Sequence, residues 1–228
     1  MRLVTLLCVL AVVVAVWSTG VAMAGEGKEK GEPLKIELPL PMFRGTPKNI
    51  KPHPHLEKPR SGPRPAFVAP AGTKNLAFEK EIASSDDEPI VGELEQVTDG
   101  DKRGSDGSYV ELGPGRQWVQ VDVETVAHIY AIVVWHYHGE GRVYHDVVVQ
   151  VADDPDFITN VRTVFNNDYD NSSGLGIGKD KEYLETYEGR LIDCKGIKAR
   201  YVRLYSKGNT ANDMNHYTEV EVYGKPAG

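Results

Sequence analysis

The chain has 228 residues, of which 40% are hydrophobic, 8% aromatic and 26% charged, with a formal net charge of −7. That length suits one domain with attachments and excludes a large multidomain enzyme, while the composition supports a packed core and excludes wholesale disorder. The negative charge argues against a generic nucleic-acid binder, which needs a basic face to displace counterions. Two cysteines, Cys8 and Cys194, are too few for a disulfide scaffold or a multi-cysteine zinc module.

The first segment in chain order reads as targeting. Arg2 precedes an apolar run from Leu3 to Trp17, and Ala22-Met23-Ala24 forms a small-residue cleavage signal before Gly25. The run falls short of the ~20 residues of a comfortable membrane span. Residues 1–24 are therefore expected to be a cleaved signal peptide, and the mature chain a secreted or periplasmic protein without membrane insertion. Cleavage leaves Cys194 alone, which reads as a buried, inert thiol.

Residues 25–74 hold 10 of the 14 prolines and 10 Lys/Arg against 5 Glu, a net of +5. Proline at this density removes backbone donors and fixes φ, so residues 25–72 are expected to be an extended, basic, largely disordered linker. Pro39-Leu40-Pro41 and Pro63-Arg64-Pro65 are candidate peptide ligands for another domain, but a plain spacer is the expected use. Residues 75–228 carry 15 Lys/Arg against 28 Asp/Glu, a net of −13. Opposite charges on the two segments favour either folding the tether back or holding cations.

Beyond the linker the periodicity is two. Gln117 to Val123 alternates cleanly, His128 to His136 is a nearly continuous β-branched and aromatic run, and Tyr144 to Ala152 is another. Val161–Phe165, Ala199–Tyr205 and Thr218–Tyr223 complete the clear strands, with shorter ones expected near Asn75–Phe78 and Val91–Val97. Turn signals such as Gly113-Pro114-Gly115 and Asp154-Pro155-Asp156 separate them, and no stretch makes an amphipathic helix. About eight short strands with long polar loops predict an all-β, antiparallel β-sandwich jelly roll.

The order of motifs over residues 73–226 resembles the discoidin family, also called coagulation factor V/VIII type C, with its galactose-binding-like fold. The matching pieces are Asn75-Leu76-Ala77 followed by Ala83-Ser84-Ser85, the turn Thr98-Asp99-Gly100-Asp101, and the strand Gln117-Trp118-Val119-Gln120-Val121-Asp122-Val123. Val148 to Asp154, Ala199-Arg200-Tyr201-Val202-Arg203-Leu204 and the terminal Glu219-Val220-Glu221-Val222-Tyr223-Gly224 follow in the same order. A fold hosts many functions, so the resemblance speaks more strongly for architecture than for ligand.

Taken alone, Asp99-Gly100-Asp101 is a turn. The resemblance implies a structural Ca²⁺, with carboxylates from Asp99 and Glu219, backbone oxygens from Gln96 and Asp101, and the carbonyl of Thr218. The loop from Lys102 to Ser108 is longer than the family's and leaves Ser105 or Ser108 open as the remaining ligand. In the second oxygen-rich loop, Asp168, Asp170 and Ser172 have EF-hand spacing, but Ser173 and Lys179 stand where Gly and Glu are required, so an ordinary polar loop is expected.

The stretch Trp135 to Arg142 is the most chemically suggestive. His136 and His138 are two apart, which on a strand places them on one face. With Glu140 they suggest a transition-metal site of the cupin kind, yet the Glu follows the second His by only two residues and no suitable Gly precedes the first. The resemblance implies instead a loop-end sugar site, with Trp135 stacking on the ring and His136, His138, Arg142 and Asn215 bonding hydroxyls. There is no G-x-S-x-G, H-E-x-x-H or P-loop. The expectation is a non-catalytic module that binds carbohydrate. A protein-adhesion or assembly module is the second reading, and a metal-dependent enzyme using His136 and His138 the third.

Overall fold

The computed structural model describes residues 31–228; the expected signal peptide lies outside the described residues. Eleven strands follow in order: β1 (Gly31–Pro33), β2 (Val68–Pro70), β3 (Lys74–Asn75), β4 (Ile82–Ser84), β5 (Val110–Leu112), β6 (Gln117–Trp135), β7 (Val148–Ala152), β8 (Arg162–Asn166), β9 (Arg190–Ser206), β10 (Asn215–Tyr217) and β11 (Glu219–Pro226). The main sheet runs β3-β11-β6-β9-β7-β8, with β4 also on β6, and β5 with β10 forms a separate ladder. Every one of these strand pairings is antiparallel. The fold is the all-β sandwich expected.

Its spine is the pairing of β6 with β9, from Gln117↔Ser206 to Val134↔Arg190. The register breaks between Asp122 and Ala127 and again between Ile129 and Ala131. Glu124 (φ 67°), Lys195 (φ 54°) and Gly196 (φ 73°) take left-handed backbone at these breaks. Extra residues of this kind bend a strand and raise its twist. The first half of β6 can thereby pair with β4 and the second half with β11, two neighbours at different parts of the sandwich. The expected strands 117–123 and 128–136 are thus one element, and His136 lies beyond its end.

The second half of β6 is apolar on both faces for a reason the strand pattern alone does not give. Ile132 and Val134 point into the main core. Ala131, Val133 and Trp135 point to the opposite face, where Tyr223, Leu191, Leu34, Ile36 and Phe67 cover them. Three of those covering residues belong to the proline-rich segment. Where disorder was expected, residues 31–72 run extended and docked against the sandwich. β1 and β2 pair with each other, Leu34 N–H donates to Phe67 O at 2.8 Å, and Leu56 bridges Glu182.

Two other expectations change. Val91–Val97 is not a strand; Leu94–Thr98 form a short 3₁₀ helix. Gln96 Oε1 accepts from Glu93 N–H at 2.8 Å, a local bond that competes with a sheet ladder. Tyr144 stands outside β7 and reaches Asn209 only through an isolated bridge. Cys194 is buried, and burial pushes its thiol up to about 12, as an inert core cysteine requires.

Candidate functional site

At one pole the loop after the 3₁₀ helix meets the start of β11. Gly100 N–H donates to Glu219 Oε2 at 3.0 Å, which sets the Asp99 turn beside Glu219, while Asp99 itself is exposed and its Oδ1 accepts Asp101 N–H at 2.7 Å. Thr218 and Glu219 are fully buried, and Thr218 Oγ1 and Glu219 Oε1 have no hydrogen-bond partner. Burial, with Glu221 and Asp99 adding like charge, drives the Glu219 carboxyl up to about 9. At neutral pH it therefore keeps a proton unless a cation stands beside it. Lys102 lies close by but is committed to Glu221 at 2.6 Å. Asp101 offers little as a carboxylate, because Arg103 grips both its oxygens at 2.6–3.1 Å and holds its pKa below the usual range. The Gln96 side chain is likewise occupied, with Nε2 on Gly107 O at 2.7 Å, so only backbone oxygens of Gln96 and Asp101 remain as donors. A buried carboxylate and a buried hydroxyl, both with an orphaned oxygen, fit an oxygen-preferring divalent ion.

The residues expected to stack on and bond a sugar do not share an opening. Trp135 is 0% exposed, its Nε1–H donates to Tyr187 O at 2.9 Å, and its ring lies against Gly189, where an added Cβ would come within 2.6 Å. It cannot stack on a ligand. Asn215 is a structural brace: Oδ1 accepts from Ser206 Oγ and Gly208 N–H, while Nδ2 donates to Gly113 O and Gly115 O. His136 and His138 are also fully buried but diverge, since β6 has ended and strand alternation no longer applies. His136 Nδ1 donates to Glu185 Oε2 at 3.1 Å, whereas His138 Nε2 donates to Lys102 O at 2.8 Å. They do not form a joint metal site with Glu140, which pairs with Arg142 at 3.1 Å. Arg142 is half-buried over the Tyr137 ring at 4.6 Å.

His136 instead belongs to an interior polar cluster. It stacks on Tyr144 at 4.3 Å, and Tyr144, Tyr137 and Tyr109 surround His216. Burial, helped by Arg142 and His136, lowers the His216 imidazole to about 3, so it is neutral while Nε2–H donates to Glu111 at 2.9 Å. His145 behaves oppositely: its bond to Glu182 at 2.8 Å raises its pKa.

Among the described residues, Asp146, Asp168 and Asp170 bring ligand atoms within 4.8 Å of one another. Asp168 and Asp170 are already bonded by the backbone N–H groups of Ser172 and Ser173, and Ser172 Oγ donates to Asp146.

An open concavity lies elsewhere. Where the proline-rich segment crosses the 183–191 stretch, a groove of ≈ 530 Å³ forms between Phe43, Lys58, Arg60 and Arg64 on one side and Tyr187 and Arg190 on the other. Phe43 and Tyr187 are half-buried there. Glu188 holds the segment in place, pairing with the Arg60 guanidinium and accepting Arg64 N–H at 2.9 Å. Arg64 Nη1 donates to Glu188 O at 2.9 Å and Gly189 O at 3.1 Å. Arg190 grips Glu57 bidentately at 2.7 and 2.9 Å. Sequence reasoning missed this groove because it treated the linker as a spacer. The charge opposition between the segments was the one signal that pointed to it.

The class defined is an antiparallel β-sandwich with an extended strap across one face and a polar, aromatic groove beneath the strap. Compared with solved structures, the chain is similar to the CBM32 of AlyQ in complex with 4,5-unsaturated mannuronic acid (17% identity, TM-score 0.47, 64% of this chain and 95% of that one). It is also similar to the fucose-binding module SpX-3 of Streptococcus pneumoniae (18% identity, TM-score 0.46, 66% and 97%). Against a family 89 glycoside hydrolase from Clostridium perfringens it reaches 15% identity and TM-score 0.49, with 67% of this chain covering 15% of that one. Likeness at these scores assigns no ligand. No family model and no curated protein sequence matches the chain. Among the described residues, no helix is long and apolar enough to cross a membrane.

Proposed function

We propose that the protein is an extracellular, non-catalytic carbohydrate-recognition module of the discoidin kind, braced by a structural calcium ion. The observation that carries the recognition reading is the groove: two half-buried aromatic faces, Phe43 and Tyr187, stand beside several fixed hydrogen-bond donors in one concavity. Apolar ring faces flanked by donors are the combination a sugar needs, because pyranose rings present apolar C–H faces and polar edges. The originally expected set around Trp135 and Asn215 is replaced by this one. Glu219, Thr218 and Asp99, with backbone oxygens of the 96–101 stretch, would hold the ion. Bound there, it supplies charge compensation for a buried carboxylate and ties an early loop to the last strand.

A glycan array probed with the full chain in calcium buffer tests the reading. Saturable binding to one glycan class supports it. Binding to no glycan, together with capture of a protein partner, would favour the adhesion reading in its place.

A further inference from the structure

The groove beneath the strap is unusual in its charge. Four cations line it, Lys58, Arg60, Arg64 and Arg190, against two carboxylates, Glu57 and Glu188. Internal pairing does not balance them. Arg190 occupies Glu57 alone, so Arg60 and Arg64 share Glu188, and Lys58 has no ion-pair partner among the described residues. Arg190 is fixed by its rings, lying 5.1 Å from the Phe165 centroid and 4.8 Å from that of Tyr183, and its Nε–H is buried without an acceptor. Burial also lowers the Arg64 pKa, the sign of a cation that desolvation leaves short of negative charge. A broader cleft of ≈ 840 Å³ beside Asp99 has the opposite balance, with Glu32, Glu37, Asp99 and Glu221 against Lys35, Lys74 and Lys102.

We propose that the groove binds an acidic saccharide, a sugar unit carrying a carboxylate or sulfate, and that the proline-rich segment supplies half of its contacts. This rests on the carbohydrate reading above. The anion meets Lys58 and the uncompensated share of the Arg60–Arg64 pair, which form charge-assisted bonds in a partly dry setting. The ring stacks on Tyr187 or Phe43. The volume suits one or two sugar units, within the range of small-ligand pockets. A molecule of net charge −7 repels polyanions in general, so attraction to one must be local.

The test measures binding of the full chain by calorimetry to oligogalacturonate, to sulfated dextran, and to neutral dextran and galactan, at low and high salt. Lys58→Gln, Lys58→Arg and the double change Lys58→Gln with Arg60→Gln are run alongside, each checked for unchanged melting temperature. Lys58 is exposed and holds nothing in the fold, so its replacement isolates charge. The expected result is saturable binding to a carboxylated or sulfated glycan, at least about tenfold weaker in K58Q and retained in K58R. Whichever polymer binds distinguishes carboxylate from sulfate. Neutral glycans binding as tightly as acidic ones, with K58Q unchanged, overturn the charge assignment and leave the carbohydrate reading standing. Acidic binding that survives the double variant removes the groove as the site. Binding to none of the polymers overturns the acidic-saccharide assignment, while the glycan array decides the carbohydrate reading separately.

Discussion

The sandwich and the strap are both extended chain, yet different forces hold them. In the sandwich, ladder hydrogen bonds along β6, β9, β11 and β7 enclose a core from Leu76 to Val222. The strap has three residues of ladder at each end, a few apolar anchors, a His53 contact to Glu182 and ion pairs reaching Glu188 and Arg190. Proline explains the contrast: it keeps the chain extended but strips the donors a ladder needs. The strap's order is borrowed from the surface it covers, while its removal uncovers an apolar face that the sandwich cannot cover by itself.

The largest expected effect follows from removing the strap. Deleting residues 25–72 exposes Ala131, Val133, Trp135 and Tyr223. At about 1.5–3 kcal/mol per large buried side chain, the loss is several kcal/mol, or a melting point lower by about 10 °C or more. Thermal melts and binding of a hydrophobic dye check this; a truncated chain as stable and as dye-silent as the full one would mean the strap rests on the face without stabilising it.

Next comes Glu219→Gln, which leaves the strap intact and probes the sandwich alone. In calcium buffer it should cost the ion's linkage contribution, about 2.7 kcal/mol at a hundredfold excess over Kd. In chelator it should cost nothing or stabilise, because the native carboxyl there already holds a proton. The pH dependence has a definite sign. A folded carboxyl at about 9 binds its proton more tightly than an unfolded one near ~4.3, so in chelator stability falls as pH rises between those values. Calcium should flatten that slope. Equal melting losses in calcium and chelator would count against the ion.

A smaller effect separates electrostatics from apolar docking in the strap. Glu188→Ala leaves Arg60 without its partner and Arg64 N–H without its acceptor. The expected cost is about 1–3 kcal/mol, mostly from the half-buried donor, with faster amide exchange or proteolysis confined to residues near 57–65. Protection unchanged there would show that Leu34, Ile36 and Phe67 suffice.

The last effect is confined to acid and vanishes at neutral pH. His216 faces Glu111 from β5, Arg142, His136 and the rings of Tyr109, Tyr137 and Tyr144. Its folded pKa of about 3 lies below the ordinary ~6.5, so its contribution is complete above 6.5 and lost as pH falls toward 3. His216→Asn should make acid melts less steep over that window, which calorimetric scans would register.

Some of this was legible in the residues. Alternation at Gln117–Val123 put Val119, Val121 and Val123 on one face, opposite in phase to Trp118, and that face is the core. The Asp99 turn and Glu219 do meet, which the discoidin-like motif order implied. Trp135, by contrast, was misread as a ligand platform because an aromatic at a strand end looks the same whether solvent or another segment covers it. His136 and His138 were placed on one face by a rule that holds only within a strand, and β6 ends at Trp135, before either of them.

The pattern of period two, the turn residues and the proline content by themselves determined an antiparallel sandwich preceded by an extended, non-helical segment, because these are local properties of φ, donors and side-chain alternation. Whether that segment floats or docks was decided only in three dimensions. Docking depends on a hydrophobic face assembled from β6, β9 and β11 and on the carboxylates of Glu182 and Glu188 arriving opposite His53 and Arg60, more than a hundred residues away. No local rule encodes such distances, so the groove, with its aromatic walls and its surplus of cations, exists only in the folded chain.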